Sequence, residues 1–164
     1  MIDLKEIKNK IFKKENFYFL LIILFSFGID RYSKIEIIKN FSNTSFYFND
    51  FLNFDLVWNT GIGFGLLSDK NQFFYNLITF FIGIVVICLF YIAIKSNKYE
   101  KIIFSLIIGG ALGNFYDRLY FKAVPDFIDL PYERFHWFTF NVADIFITIG
   151  LIVYILSGFL KKNK

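Results

Sequence analysis

"FFYNLITFFIGIVVICLFYIAI", residues 73–94, runs for 22 residues without one charged side chain. As a helix at about 1.5 Å per residue it is roughly 33 Å long, enough to cross a bilayer core of about 30 Å. Working outward, three further apolar stretches recur: "NFYFLLIILFSFGI" at 16–29, "IIFSLIIGGALGNFY" at 102–116, and a run from about 142 to 160 with Asp144 near its start. The first is only 14 residues long, so it needs flanking residues to span. A lysine-rich segment precedes it, as in a secretory signal, but Asp30 follows where a small-residue cleavage site would stand. Hydrophobic residues make up 56% of the chain and aromatics 23%, too apolar for an ordinary soluble domain of 164 residues. The expectation is one all-α integral membrane domain over 1–164, with four transmembrane helices at about 14–30, 72–95, 101–117 and 142–160.

The charges orient it. Residues 1–16, the short loop near 95–101 and the tail after Leu160 hold 11 of the 18 Lys and Arg, while about 30–72 and 116–141 hold the other seven. The positive-inside rule then puts both termini in the cytoplasm and both larger loops outside. The net charge of +4 is thus a topology signal and a contact for anionic membrane phospholipids, with no nucleic acid expected. Ten of the 14 acidic residues sort the opposite way, to the outer side.

Asp30, Asp117, Asp126 and Asp144 all fall at that outer level, where ionisable groups are costly and point to function. Each also has a plain structural reading. Asp30 and Lys34 are spaced to pair on one helical face. Asp117 adjoins Arg118 and pairs with it on the simplest reading. Asn141 and Asp144 have the spacing of a helix cap with an acid at the third position. Asp126, in "AVPDFID", has apolar neighbours and no adjacent cation, the setting that raises a carboxyl pKa towards the range of acid–base chemistry.

Other chemistries are poorly served. Cys88 lies mid-helix, and as the single cysteine it allows neither an internal disulfide nor a paired-cysteine metal site. His136 is the single histidine, and no serine sits in a nucleophile elbow. Ser33 and Lys34 are adjacent on a helix and so do not face each other. "NTGIGFG" at 59–65 lacks the lysine and the strand-to-helix setting of a phosphate loop. Carboxylates remain, with no metal or cofactor expected. Gly109 and Gly113 form a small-xxx-small pair for close helix packing, and Gly110, Asn114 and Asp117 share one face if the helix continues. A small non-enzymatic carrier or lipid-binding protein, its outer aspartates holding a cation or a headgroup, is the alternative reading; internal repeats would favour it and none is visible.

Four segments, "DRYSK" at 30–34, "NTGIGFGLL" at 59–67, "GGALGNFYDR" followed by "VPDFID", and "FNVADIFITIG" at 141–150 (the phenylalanine being the residue before it), together resemble the signature blocks of the lipoprotein signal peptidase (signal peptidase II) family, in order and spacing. The resemblance covers nearly the whole chain. It implies an aspartyl endopeptidase of the bacterial cytoplasmic membrane, with its active site at the outer face, that cuts diacylglyceryl-modified prolipoproteins before the lipidated cysteine. It implies Asp126 and Asp144 as the catalytic pair, and Asp30, Lys34, Asn59, Gly61, Asn114, Asp117, Arg118 and Asn141 as supporting residues. It also implies a small extracytoplasmic β-rich segment between the first two helices, where "FDLVWNT" alternates like a strand, and places Asp126 in a loop able to close over substrate. Pro125 stands where the family commonly has valine, and Ile62 and Gly63 where a pair of alanines is common. A monomer is expected, since the site lies within one chain.

Overall fold

The computed structural model describes residues 14–42, 44–61, 72–132 and 135–162. In chain order these form α1 (Lys14–Phe41), β1 (Phe46–Asn49), β2 (Leu52–Asn59), α2 (Gln72–Lys95), α3 (Lys98–Tyr120), β3 (Val124–Tyr132), β4 (Phe135–Phe140) and α4 (Val142–Lys162). Among them α2, α3 and the Val142–Leu160 part of α4 are long and apolar enough to cross a membrane. The chain is a membrane protein, and its surface agrees: Phe80, Ile87, Leu151 and Ile155 are all exposed on α2 and α4. The lysine-rich segment before residue 14, and Ile62 and Gly63, lie outside the described residues.

Helix α3 is the centre of the bundle, packing on α1, α2 and α4. Its glycines make this possible. A Cβ at Gly109 would strike Ser26 of α1, one at Gly110 the Ala143 carbonyl of α4, and one at Gly113 the Asp30 carboxylate. Backbones approach closely where no side chain intervenes. Below this level Ile23, Ala93, Phe104, Ile107 and Ile108 form a buried apolar cluster. Asn97 starts α3 by accepting from the amides of Tyr99 and Glu100, a side-chain cap of the usual kind.

Two expectations need correction. The first helix does not stop near residue 30 but continues to Phe41. Its apolar run ends at Ile29, yet no Gly or Pro follows at 30–41 to break it, and the charges that begin at Asp30 find partners within the fold. The β-rich part is also larger than a segment between the first two helices. It is an antiparallel sheet in the order β1-β2-β3-β4, whose second pair of strands comes from the connection between α3 and α4. Asp126 therefore sits on a central strand, opposite Val57 of β2, rather than in a loop free to close. Pro125 is buried opposite Trp58. It precedes the part of β3 that β4 pairs, which begins at Ile128, so its missing N–H costs no ladder bond on that side.

Candidate active site

The sheet register builds the first half of the site. Asn59 faces Val124 across the β2–β3 ladder. Side chains two residues apart share a face of a strand, so Asn59 is the diagonal neighbour of Asp126. Its Nδ2 donates to one Asp126 carboxylate oxygen at 2.9 Å, and its Oδ1 accepts from the Gly61 amide at 2.9 Å. The other Asp126 oxygen accepts from Asn141 Nδ2 at 2.6 Å.

The start of α4 builds the second half. Asn141 caps the helix: its Oδ1 accepts from the Asp144 amide at 3.2 Å, and Asp144 reaches back to accept from the Asn141 amide at 3.1 Å. This reciprocal pair satisfies two amides at a helix start and fixes the carboxylate at the positive end of the helix dipole. The second Asp144 oxygen accepts from Asn114 Nδ2 on α3 at 2.8 Å. Asn141 thus holds both aspartates, one through its amide nitrogen and the other through its cap.

A second polar layer lies between α1 and α3. Lys34 is fully buried and spends its three donors on Asp30 at 2.9 Å, Asn114 at 2.8 Å and Asp117 at 2.7 Å. Asp30 also accepts from the Ala143 amide at 2.9 Å, so a carboxylate from α1 satisfies the amide at the second position of α4. Asp117 takes a further bond from Arg31, whose guanidinium lies over the Tyr116 ring at 4.9 Å. Two acids and two cations balance to zero, as burial requires.

The expected pairing of Asp117 with Arg118 does not form. Adjacent helical residues point about 100° apart, and Arg118 instead donates to the carbonyls of Gly61 at 2.8 Å and Asn114 at 3.4 Å. Arg31 is the residue that sequence reasoning missed. Charge counting offers a partial signal: Asp30 and Asp117 outnumber Lys34, and Arg31 is a second cation on the same helix, beside Asp30 in "DRYSK". The other ten candidates, Asp30, Lys34, Asn59, Gly61, Asn114, Asp117, Arg118, Asp126, Asn141 and Asp144, are brought into one continuous hydrogen-bonded network. The His136 side chain lies outside the described residues.

The electrostatics separate the two layers. Among the described residues, Asp30 and Asp117 are ion-paired, while Asp126 and Asp144 take their hydrogen bonds from asparagine side chains and a backbone amide. Burial, and then the negative charge of Asp144, push the Asp126 carboxyl up to about 6; the Asn59 and Asn141 donors hold it from rising further. A neighbouring like charge disfavours ionisation, which is the direction of the Asp126 shift.

A chain of this sequence and fold has counterparts. The family described as signal peptidase (SPase) II matches residues 22–160. The chain belongs to the signal peptidase II family. It is accordingly a peptidase, a hydrolase of peptide bonds. The chain is 46% identical over 159 residues to the lipoprotein signal peptidase of Pelagibacter ubique, covering 95% of this chain and 96% of that one. It is 34% identical to that of Aeromonas hydrophila, over 95% and 96% of the two chains. Two solved structures described as bacterial membrane enzymes share the fold: one with TM-score 0.73 and 35% identity over 90% of each chain, the other with 0.68 and 36% over 85% of this chain and 91% of that one. The match to the signal peptidase II family therefore spans nearly all of the described bundle and sheet, and the residues of the network fall within its bounds.

Proposed function

We propose that this chain is an aspartic endopeptidase of the bacterial cytoplasmic membrane that removes signal peptides from diacylglyceryl-modified prolipoproteins, cleaving before the lipidated cysteine. The observation that carries the reading is the contrast between the two layers. Asp126 and Asp144 are held together by neutral donors around Asn141, whereas Asp30 and Asp117 are neutralised by Lys34 and Arg31. Cation pairing stabilises a carboxylate and removes its basicity; neutral donors position it and leave a proton to be exchanged.

In the reaction, the ionised member of the pair takes a proton from water, whose oxygen adds to the scissile carbonyl carbon. The protonated member gives its proton to the carbonyl oxygen. Collapse of the tetrahedral species breaks the C–N bond and returns a proton to the leaving amine, so no covalent enzyme intermediate forms and no metal is required. Asn59, Asn114 and Asn141 hold the pair. Arg118 and Gly61 border it and orient the peptide, while Asp30, Lys34 and Asp117 fix α1, α3 and the start of α4.

The same reading makes α1 the fourth span. At 28 residues it is about 42 Å long, and its buried charges are cancelled within the fold. The lysine distribution then places both termini in the cytoplasm and the carboxylates at the outer face, in one membrane-embedded unit that acts as a monomer on lipid-modified prolipoproteins. The test is incubation of the purified protein in detergent with a prolipoprotein carrying the diacylglyceryl group and with its unmodified form. Cleavage of the modified form alone is expected; cleavage of neither sinks the proposal.

A further inference from the structure

Helices α2 and α3 enclose a groove of about 390 Å³. On α2 it runs from Asn76 to Ile87 along one face, about 16 Å at the helical rise. Its character changes along that length. Gly83, Ile84, Ile87 and Phe115 line the apolar part, and Arg118 and Lys122 stand at the other end. A slot of this form suits an amphiphile with one hydrocarbon chain and a polar head. Arg118 is 5% exposed, and its Nε is buried without a partner although both terminal nitrogens are engaged. A buried donor without an acceptor is costly and is satisfied by an incoming carbonyl. Gly83 keeps the slot open, since a Cβ there would approach the Phe115 ring to 3.2 Å.

We infer that this groove is the subsite for one acyl chain of the substrate's diacylglyceryl group, with the ester oxygens at Arg118 Nε and the hydrocarbon running past Gly83 towards Ile87. The inference rests on the peptidase reading above and adds where the lipid is measured. Arg118 decides for the substrate over a bystander phospholipid. The same guanidinium donates to the carbonyls of Gly61 and Asn114 beside the two carboxylates, so the head of any occupant ends at the point of cleavage. A lipid carried on the cysteine next to the scissile bond must place its esters there. A free phospholipid would bring a phosphate to that point and block it.

The test compares two prolipoproteins that differ only in acyl length, dipalmitoyl-glyceryl and dibutyryl-glyceryl cysteine, on wild type, Gly83→Leu and Ile87→Trp. The side chain added by Gly83→Leu fills the slot; Ile87 is 69% exposed, so its enlargement obstructs the far end without disturbing the packing of the bundle. Both variants should lose at least about tenfold in kcat/KM on the long-chain substrate and less than about twofold on the short-chain one. A palmitoyl chain bearing a diazirine at its end should label α2 or α3 near Ile87 in the wild type. Equal loss on both substrates, no loss on either, or labelling elsewhere overturns the inference while leaving the peptidase intact. Labelling of the groove by a diazirine phospholipid, undiminished by substrate, assigns it to bilayer lipid and overturns the inference as well. A wild type that cleaves neither substrate removes the peptidase reading first, and this one with it.

Discussion

Asp126 and Asp117 are both buried carboxylates of the same polar network, and their partners give them opposite roles. Asp126→Asn and Asp144→Asn remove the proton acceptor and turn one hydrogen-bond-accepting oxygen into a donor, so turnover per folded molecule should fall at least about a hundredfold, beside a smaller loss of stability. Asp117→Asn leaves Lys34 and Arg31 to share the single charge of Asp30 and should cost about 3 kcal/mol of stability, with activity falling only as folded protein is lost. Turnover per folded molecule separates the two classes; a stable, substrate-binding but inert Asp117→Asn would move the chemistry to that residue. A pH effect follows from the Asp126 carboxyl lying at about 6 against an ordinary 3.8. The folded state binds this proton more tightly than the unfolded chain, so the group stabilises the fold below about pH 4 and that stabilisation is lost as pH rises through about 6. The Asn variant does not titrate. Its stability relative to wild type should therefore improve between pH 4 and 7, by up to about 3 kcal/mol, and a difference that stays flat with pH would show that Asp126 is not held protonated by its surroundings.

At the scale of elements, the start of α4 joins structure to chemistry. Asn141 both caps the helix and donates to Asp126, and these duties can be separated. Asn141→Ala should lose about 1 kcal/mol of stability with the cap, together with activity. Asn141→Ser restores the cap oxygen but has no amide to reach Asp126, so stability should return and turnover should not. Recovery of both by serine would mean that the Asn141 to Asp126 bond is unnecessary. The sheet contributes in a different way: pairing β2 with β3 brings Asn59 and Asp126 within hydrogen-bond reach, though they are far apart in the chain.

For the whole molecule, α3 is the hub against which α1, α2 and α4 set the polar layers. Exposed Trp58, Tyr116, Tyr120 and Phe121 cluster at the end of α3 that carries the site, the composition of a membrane-interface belt. Reporter fusions at Lys164 and within 40–55 should indicate opposite sides of the membrane. Fusions indicating the same side would leave an even number of crossings among α2, α3 and α4 and overturn the four-helix count.

The sequence by itself determined the class and most of the residues. The uncharged run at 73–94, the lysine asymmetry, the spacing of Asp30 with Lys34 and the cap spacing of Asn141 with Asp144 are all local patterns, set by helix periodicity and bilayer thickness. Tertiary structure decided what local patterns cannot carry. Nothing near Asp117 in the chain names Arg31 as its partner, because that contact joins two helices through glycine-mediated packing. The hydropathy of "VPDFIDLPY" at 124–132 does not disclose a central strand, since one of its two neighbours, β2, arrives from another connection. The division of four aspartates into a cation-balanced pair and a pair held by neutral amides depends on which donors the folded bundle brings to each, and that is a property of packing alone.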